Sequence, residues 1–294
     1  MVRVAYLTGR SYRGTPLAPG DVPALETRSR DLIVRAGAAR GIDFETVYWD
    51  EVDLPRRGFD AAIIRTCWDY TARADEFIAA LEAHERAGLR VFNPSRVVRW
   101  NARKTYLKDL GASAIETVWA ERADARTVAH AFDVLDAAEV VVKPQVGAGS
   151  VATLRLKRNA WSEADLIGGP SGPAMIQPYL HAIETEGERS LFWFGDAYAH
   201  AIRKVPHPGS WLANIPGQTS FVAEAPPAAA REAAEAARAS APDELLYVRI
   251  DLVLGDDGKW RVIEIEAIEP YLFLDFAPAA ADVFVGAIAC VLGE

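Results

Sequence analysis

Two rhythms of apolar residues alternate along the first hundred positions. Val2–Thr8, Thr46–Trp49, Asp60–Thr66 and Arg90–Phe92 are short, dense apolar runs, the pattern of strands buried on both faces. Between them, Ala24–Ala39 sets Leu25, Leu32, Ile33 and Ala36 at helical spacing before Gly41. Ala74–Ala87 does the same with Phe77, Ile78, Leu81 and His84 before Gly88. Strands that alternate with helices in this way predict a parallel, doubly wound α/β sheet.

The pattern changes near Ser95. Helical spacing over Arg103–Leu110 and Ala125–Leu135 is interleaved with strand-like Glu116–Trp119, Glu139–Val142 and Val151–Leu156. From Ala174 onward two hairpins are predicted. Ser190–Phe194 pairs with Ala197–Lys204 around Gly195-Asp196, and Tyr247–Leu254 pairs with Lys259–Glu266 around Gly255–Gly258. Ala228–Ser240 reads as an exposed helix, and Val283, Phe284, Ala287, Ile288 and Val291 mark a final helix docked on a core. The C-terminal part is therefore α+β, and no internal repeat is seen. Val205–Thr219, rich in Pro and Gly, is expected to be a mobile loop.

Composition narrows the class of partner. The 294 residues carry a net charge of −9, which disfavours nucleic acid and anionic membranes as partners. Cys67 and Cys290 stand far apart without a C-x-x-C, against a disulfide framework or a zinc ribbon. The N-terminus lacks a signal-peptide pattern, and the apolar tract 276–292 is interrupted by Pro278 and Asp282 and is short for a bilayer. A cytoplasmic location is expected, with a homodimer as the commonest assembly. No G-x-G-x-x-G follows the first strand, and no G-K-[ST] loop, H-E-x-x-H or G-x-S-x-G occurs.

Four groups of residues could carry chemistry. In the second hairpin, alternation puts Ile250, Leu252, Ile263 and Ile265 on one face and Arg249, Asp251, Glu264 and Glu266 on the other, with the register free by one pair. Three carboxylates on one face repel one another unless a cation lies among them. Such hard oxygen donors suit a Mg²⁺-nucleotide site, although a solvated edge hairpin shows the same alternation. Lys143 ends an apolar strand just before Gly147, Gly149 and Ser150, as a phosphate-holding loop would, or an ordinary glycine turn. Lys104 lies in a stretch from Arg86 to Lys108 with seven Lys/Arg and no Asp or Glu, either a phosphate-facing patch or plain helix surface. Gln177, Tyr179, Leu180 and Glu184 could meet a purine base and its ribose, or form a plain connection. In addition Trp68, Asp69 and Tyr70 follow a central strand where a doubly wound sheet places ligands; a structural corner would use the same residues.

Taken in order, these groups resemble the ATP-grasp superfamily of carboxylate–amine ligases. Lys104, Lys143, the glycine-rich loop, Gln177-Pro-Tyr179-Leu180 with Glu184, and Asp251 with Glu264-x-Glu266 carry the resemblance over about Ser95 to Ala280. The wording of Arg65-Thr-Cys-Trp-Asp-Tyr70 and Glu264-Ile-Glu-Ala-Ile-Glu-Pro270 is similar to the subgroup that contains the cyclo-ligase closing O-ureidoserine into cycloserine. The resemblance implies an α/β pre-ATP-grasp domain at 1–94, a central lid at 95–176 and a C-terminal ATP-grasp part at 177–294. It implies ATP phosphates on Lys104, Lys143, Gly147, Gly149 and Ser150, adenine on Gln177, Tyr179 and Leu180, and ribose on Glu184. Asp251, Glu264 and Glu266 would hold Mg²⁺, with Arg203, Lys204 and Arg249 at the phosphoryl group and Arg65, Trp68, Asp69 and Tyr70 at the substrate.

Two departures stand out. Glu266 occupies a position where the superfamily commonly has Asn, and Ser190 stands where many members carry an Arg, with Arg189 beside it. The implied activity is ATP-dependent amide formation on a small amino-acid-like carboxylate through an acylphosphate, with ADP and phosphate released. The bond would form within one molecule. Alternatives are an intermolecular dipeptide or glutathione-synthetase-like ligase, or a nucleotide sensor without catalysis.

Overall fold

The computed structural model describes residues 1–215 and 217–293; Pro216, within the loop expected to be mobile, and Glu294 lie outside the described residues. The N-terminal part contains β1 (Val2–Thr8), a small hairpin of β2 (Ser11–Tyr12) and β3 (Thr15–Pro16), α1 (Thr27–Ala38), β4 (Ile42–Tyr48), β5 (Ala61–Thr66), α2 (Ala74–Arg86) and β6 (Arg90–Phe92). Parallel pairing gives the order β4-β1-β5-β6. Strand alternation sends Val4, Tyr6 and Ile63 toward Ile33 and Ala36 of α1. Ala5, Leu7, Ala62 and Ile64 go to the other face, against Phe77, Ile78 and Leu81 of α2. Fully burying each large side chain contributes about 1.5–3 kcal/mol. The predicted stripe on α2 is the buried one, His84 included, whose Nε2 lies 2.9 Å from the Trp49 carbonyl oxygen.

Next come α3 (Ser95–Asn101), β7 (Val118–Ala120), α4 (Ala125–Val134), β8 (Glu139–Pro144), β9 (Leu154–Lys157) and β10 (Ala174–Pro178). The helix expected over Arg103–Leu110 is a 3₁₀ stretch, Lys104–Ser113, broken by a kink at Gly111. The second sheet is antiparallel, in the order β7-β10-β8-β9. The Asp124 carboxylate caps α4 by accepting the Thr127 N–H (2.8 Å). The helix lays Val128, Ala131 and Phe132 on Val140, Val142 and Ile176.

The remaining elements are β11 (Glu188–Phe194), β12 (Ala197–Pro206), β13 (Thr219–Ala223), α5 (Ala228–Ala239), β14 (Tyr247–Leu254), β15 (Trp260–Glu266) and α6 (Ala280–Leu292). They form an antiparallel sheet ordered β13-β12-β11-β14-β15. Leu191, Trp193, Ile250 and Leu252 pack on the alanines of α5, whereas Phe192, Phe194 and Tyr247 meet Phe284 and Ile288 of α6. α6 buries Phe284, Val285, Ile288 and Ala289, leaving the expected Val283 and Val291 37% and 39% exposed. In a helix that is apolar nearly all round, spacing alone does not select the buried side. Among the described residues no helix is long and apolar enough to cross a membrane.

Candidate active site

Alternation on three neighbouring strands builds a charged floor beyond the aromatic core. β11 contributes Glu188 and Ser190, β12 contributes Lys204, and β14 contributes Arg249 and Asp251, all buried. On β15, Glu266 lies opposite Arg249 and Glu264 opposite Asp251, so the four charged residues share one face. A bulge between Asp251 and Leu252 then pairs Leu252 with Val262. Val262 takes the core position expected of Ile263, and Ile263 turns to the cavity instead.

The acids are partnered one by one. Arg249 grips Asp251 (2.8 Å) and pairs with Glu266; Lys204 pairs with Glu188 and lies 3.6 Å from Asp251; Lys104 meets Glu264 at 2.7 Å. Burial opposes the charge of Asp251, but Arg249 and Lys204 outweigh it and hold its pKa at about 2, with the Ser190 hydroxyl donating to it as well. Burial pushes Glu266 up to about 7 against the pull of Arg249, with Glu264 and Asp251 adding to the rise. Oxygens of Asp251, Glu264 and Glu266 lie within 4.8 Å of one another, and this all-carboxylate donor set suits a hard divalent cation.

Lys104 is held where it stands. The side chains of Asn101 and Tyr106 on either side of it bond the backbone of Ile265 and Ala267, locking this stretch onto β15. Its ammonium also donates to the Gly147 carbonyl (2.7 Å). In the loop after β8, Gly149, Ser150 and Ala152 all have left-handed φ of 55–61°, and the N–H groups of Gly147, Gly149 and Ser150 have no partner among the described residues. Unpaired N–H groups on a curved backbone are an anion-binding arrangement. Lys143 enters the same cavity without an acidic partner among the described residues. Burial pulls its pKa down to about 8, Glu264 opposing and Lys104 reinforcing the shift.

These residues line a cavity of about 150 Å³ with Val141, Gln177, Tyr179, Leu180 and Ile263, and Trp211–Asn214 lie over it. The volume is below the roughly 300–1,000 Å³ usual for ligand pockets. Glu184 stands beside it, held by the Tyr179 hydroxyl (2.7 Å) and by Arg155 (2.9 Å), whose guanidinium stacks on the Tyr179 ring. A second cavity, about 650 Å³, adjoins the first across Ala148, Gly149, Val151, Asn214 and Glu266. Trp68, Asp69, Arg10, Lys204, Arg249 and Tyr271 are among its walls.

Three expected positions lie elsewhere. Arg203 neighbours Lys204 on β12 and so faces the opposite side of the sheet, where it donates to the Thr185 and Glu186 carbonyls. Arg189 shares that side, paired with Glu224, and does not replace it. Arg65 is fully buried on a strand covered on both faces, over the Tyr247 and Phe284 rings, and Tyr70 packs in the core against Phe77. Neither is among the described residues lining these two cavities. Residues not foreseen as lining include Val141, Ile263 and Glu269; only the acid carries a chemical signal in the sequence, and no spacing singles it out.

Comparison with known proteins places this geometry. The family model for the N-terminal domain of D-cycloserine synthetase DcsG matches residues 4–93. The cycloserine biosynthesis protein DcsG of Streptomyces lavendulae is 32% identical over 273 residues, 85% of this chain and 89% of that protein. The crystal structure of D-cycloserine synthetase DcsG superposes with a TM-score of 0.81 at 29% identity, covering 99% of both chains. The ATP-grasp ligase PsnB, complexed with a precursor variant, Mg and ADP, gives a TM-score of 0.62 at 16% identity over 97% of both chains, a likeness of fold. The chain belongs to the DcsG family and is an ATP-dependent, amide-forming ATP-grasp ligase.

Proposed function

We propose that this ligase phosphorylates the carboxylate of a small α-amino acid and closes the acyl group onto a nitrogen of the same molecule. O-Ureidoserine is the substrate to test first, because the relatives are named for cycloserine. The adjoining cavities, sharing Gly149 and Glu266 in their walls, are the observation that carries the reading: a nucleotide in one and an acid in the other would meet at the carboxylate trio.

In this reading Lys104, Lys143 and the N–H groups of Gly147, Gly149 and Ser150 hold the ATP phosphates. Gln177, Tyr179 and Leu180, with Val141 and Ile263, enclose adenine, and Glu184 exchanges Arg155 for ribose hydroxyls. Asp251, Glu264 and Glu266 would hold Mg²⁺, which supplies charge neutralisation at the phosphate oxygens when bound. Lys204 and Arg249 face the acid substrate and stabilise charge as its carboxylate oxygen takes the γ-phosphoryl group and ADP leaves. The substrate nitrogen then attacks the acyl carbon, losing its proton as phosphate departs. Trp211–Asn214 and the glycine loop exclude water from the acylphosphate. The division at 1–94, 95–176 and 177–294 has support in one main sheet falling within each part, apart from the last two residues of the inner strand β10, which ends at Pro178.

The test is ADP release by purified protein with O-ureidoserine, ATP and Mg²⁺, and mass analysis of the product. ADP formation that needs both the acid and Mg²⁺, with a product lighter than its precursor, is expected. AMP formation would overturn the phosphorylation step, and a product heavier than the precursor would show joining of two molecules.

A further inference from the structure

A carboxylate removed from water is costly unless a cation or several donors meet it. Near the two cavities, Glu188, Asp251, Glu264 and Glu266 each meet a lysine or arginine. Glu269 does not. It is only 6% exposed, lines the larger cavity, and among the described residues makes no ion pair and accepts no hydrogen bond from another side chain. Burial, and then Glu266, holds its pKa well above the carboxylate range, Lys104 opposing and Glu264 adding.

The backbone around it is fixed. The Trp68 indole donates to the Glu269 carbonyl (3.0 Å), and the buried Arg65 guanidinium donates to the next carbonyl, that of Pro270 (2.6 Å). Arg65 and Trp68, two of the four residues expected at the substrate, thus have an indirect part: they aim Glu269 into the cavity. Other acids on the same walls are engaged. Asp69 accepts from the Arg10 N–H (3.0 Å) and the Trp49 indole (2.9 Å), Asp275 accepts from the Tyr271 hydroxyl (2.9 Å), and Glu266 has Arg249. Trp68, Tyr271 and Phe273 add aromatic walls, which also suit a cation.

We propose that Glu269 is a specificity residue that receives the α-ammonium group of the substrate, an inference that rests on reading the larger cavity as the amino-acid site. An α-ammonium lies one carbon from its own carboxylate, so its anchor must adjoin the place where that carboxylate is phosphorylated. Glu269 meets this condition by following Glu266 along the same wall. The ligand completes the charge pair that the fold leaves open.

The test compares wild type, Glu269→Gln and Glu269→Asp with O-ureidoserine and with its counterpart lacking the α-amino group. Wild type is expected to favour the amino compound by roughly 100-fold in kcat/KM, because a site built for a charged partner rejects the analogue that lacks it. Glu269→Gln should raise KM for the amino compound far more than it lowers kcat and should erase the preference, with Glu269→Asp restoring part of it. Retained preference in Glu269→Gln overturns the proposal. So does a higher Mg²⁺ requirement with preference intact, which would make Glu269 a metal ligand. A second arm needs no substrate: neutralising an unpaired buried carboxylate should leave the melting temperature unchanged or higher. A clear fall would reveal a partner within the fold and also overturn the proposal. Should wild type release no ADP with O-ureidoserine, the substrate assignment fails, and the thermal arm still judges Glu269.

Discussion

Replacing Lys204 with methionine keeps the length of the side chain and removes its charge. Lys204 is 1% exposed and stands between Glu188 and Asp251. Asp251 would keep Arg249 and Ser190, but Glu188 would lose its cation. Breaking a buried pair from one side costs about 3–5 kcal/mol. At about 2–3 °C per kcal/mol for a chain of this size, the melting temperature should fall by roughly 6–15 °C. Replacing Glu188 with methionine as well removes the stranded charge and should recover most of that fall. The pH dependence follows from Glu188, whose pKa burial pushes up to about 7 against the pull of Lys204. A raised pKa means that the folded state holds the proton tightly. The stability this provides is present below the ordinary carboxyl pKa and is lost as pH rises through about 7. Without Lys204 the pKa rises further, so the deficit of Lys204→Met should be greater at about pH 8 than at about pH 5. Scanning calorimetry of both variants at the two pH values measures this. A shift under about 2 °C, or a double variant as unstable as the single one, would refute the pairing.

Glu264→Gln should lower ADP formation by at least about 100-fold with the fold intact by circular dichroism, since the proposed metal ligand and the Lys104 contact go together; unchanged turnover would remove the metal site. Arg203→Ala, on the opposite side of the sheet, should keep kcat/KM within about twofold, as expected of a residue remote from the chemistry, and a large loss would reinstate it at the site. Lys143 carries its charge only below a pKa of about 8, so calorimetric affinity for ADP with Mg²⁺ should fall as pH rises through that region. Lys143→Arg, always charged, should flatten that pH profile. Gly9→Ala would set a methyl group 2.2 Å from the Asp69 carboxylate, displacing the acid that holds the Arg10 N–H. It should raise the substrate KM while leaving ADP affinity unchanged.

The acids were legible because β alternation needs only parity, and core residues on either side of Asp251 and Glu264 supply it. Parity also explains the failures. Arg203 and Lys204 are adjacent, and chemistry favours the arginine where the strand presents the lysine. On β5, buried throughout, no polar face marks which way Arg65 points, so motif position suggested a ligand contact that the core prevents. Ile263 was misplaced because a bulge leaves no mark in a run of alternating residues. Trp211–Asn214 belong to the Pro- and Gly-rich stretch that the sequence marks as a loop, but loop geometry, which has no period, decides which of its residues line the cavity. Glu269 is visible as an acid, but its isolation from cations is a property of the fold. The β2–β3 hairpin and β13 are likewise too short, or too dependent on their neighbours, to announce themselves.

The bulge in the β14–β15 hairpin has a further consequence for how the protein can be altered. It divides one hairpin into two segments whose alignments are set independently. The inner segment, Arg249–Asp251 with Glu264–Glu266, is tied down by Asn101 and Tyr106, whereas the outer one hangs from the turn at 255–258. A residue added to that turn can be taken up where the ladder is already interrupted, so peptide tags or reporter loops grafted at Asp256-Asp257 should leave the carboxylates in place. The same single insertion between Val262 and Glu264 would turn the acids toward the alanines of α5. Two insertion sites a few residues apart thus offer opposite outcomes, one a permissive handle and the other a clean way to silence the enzyme.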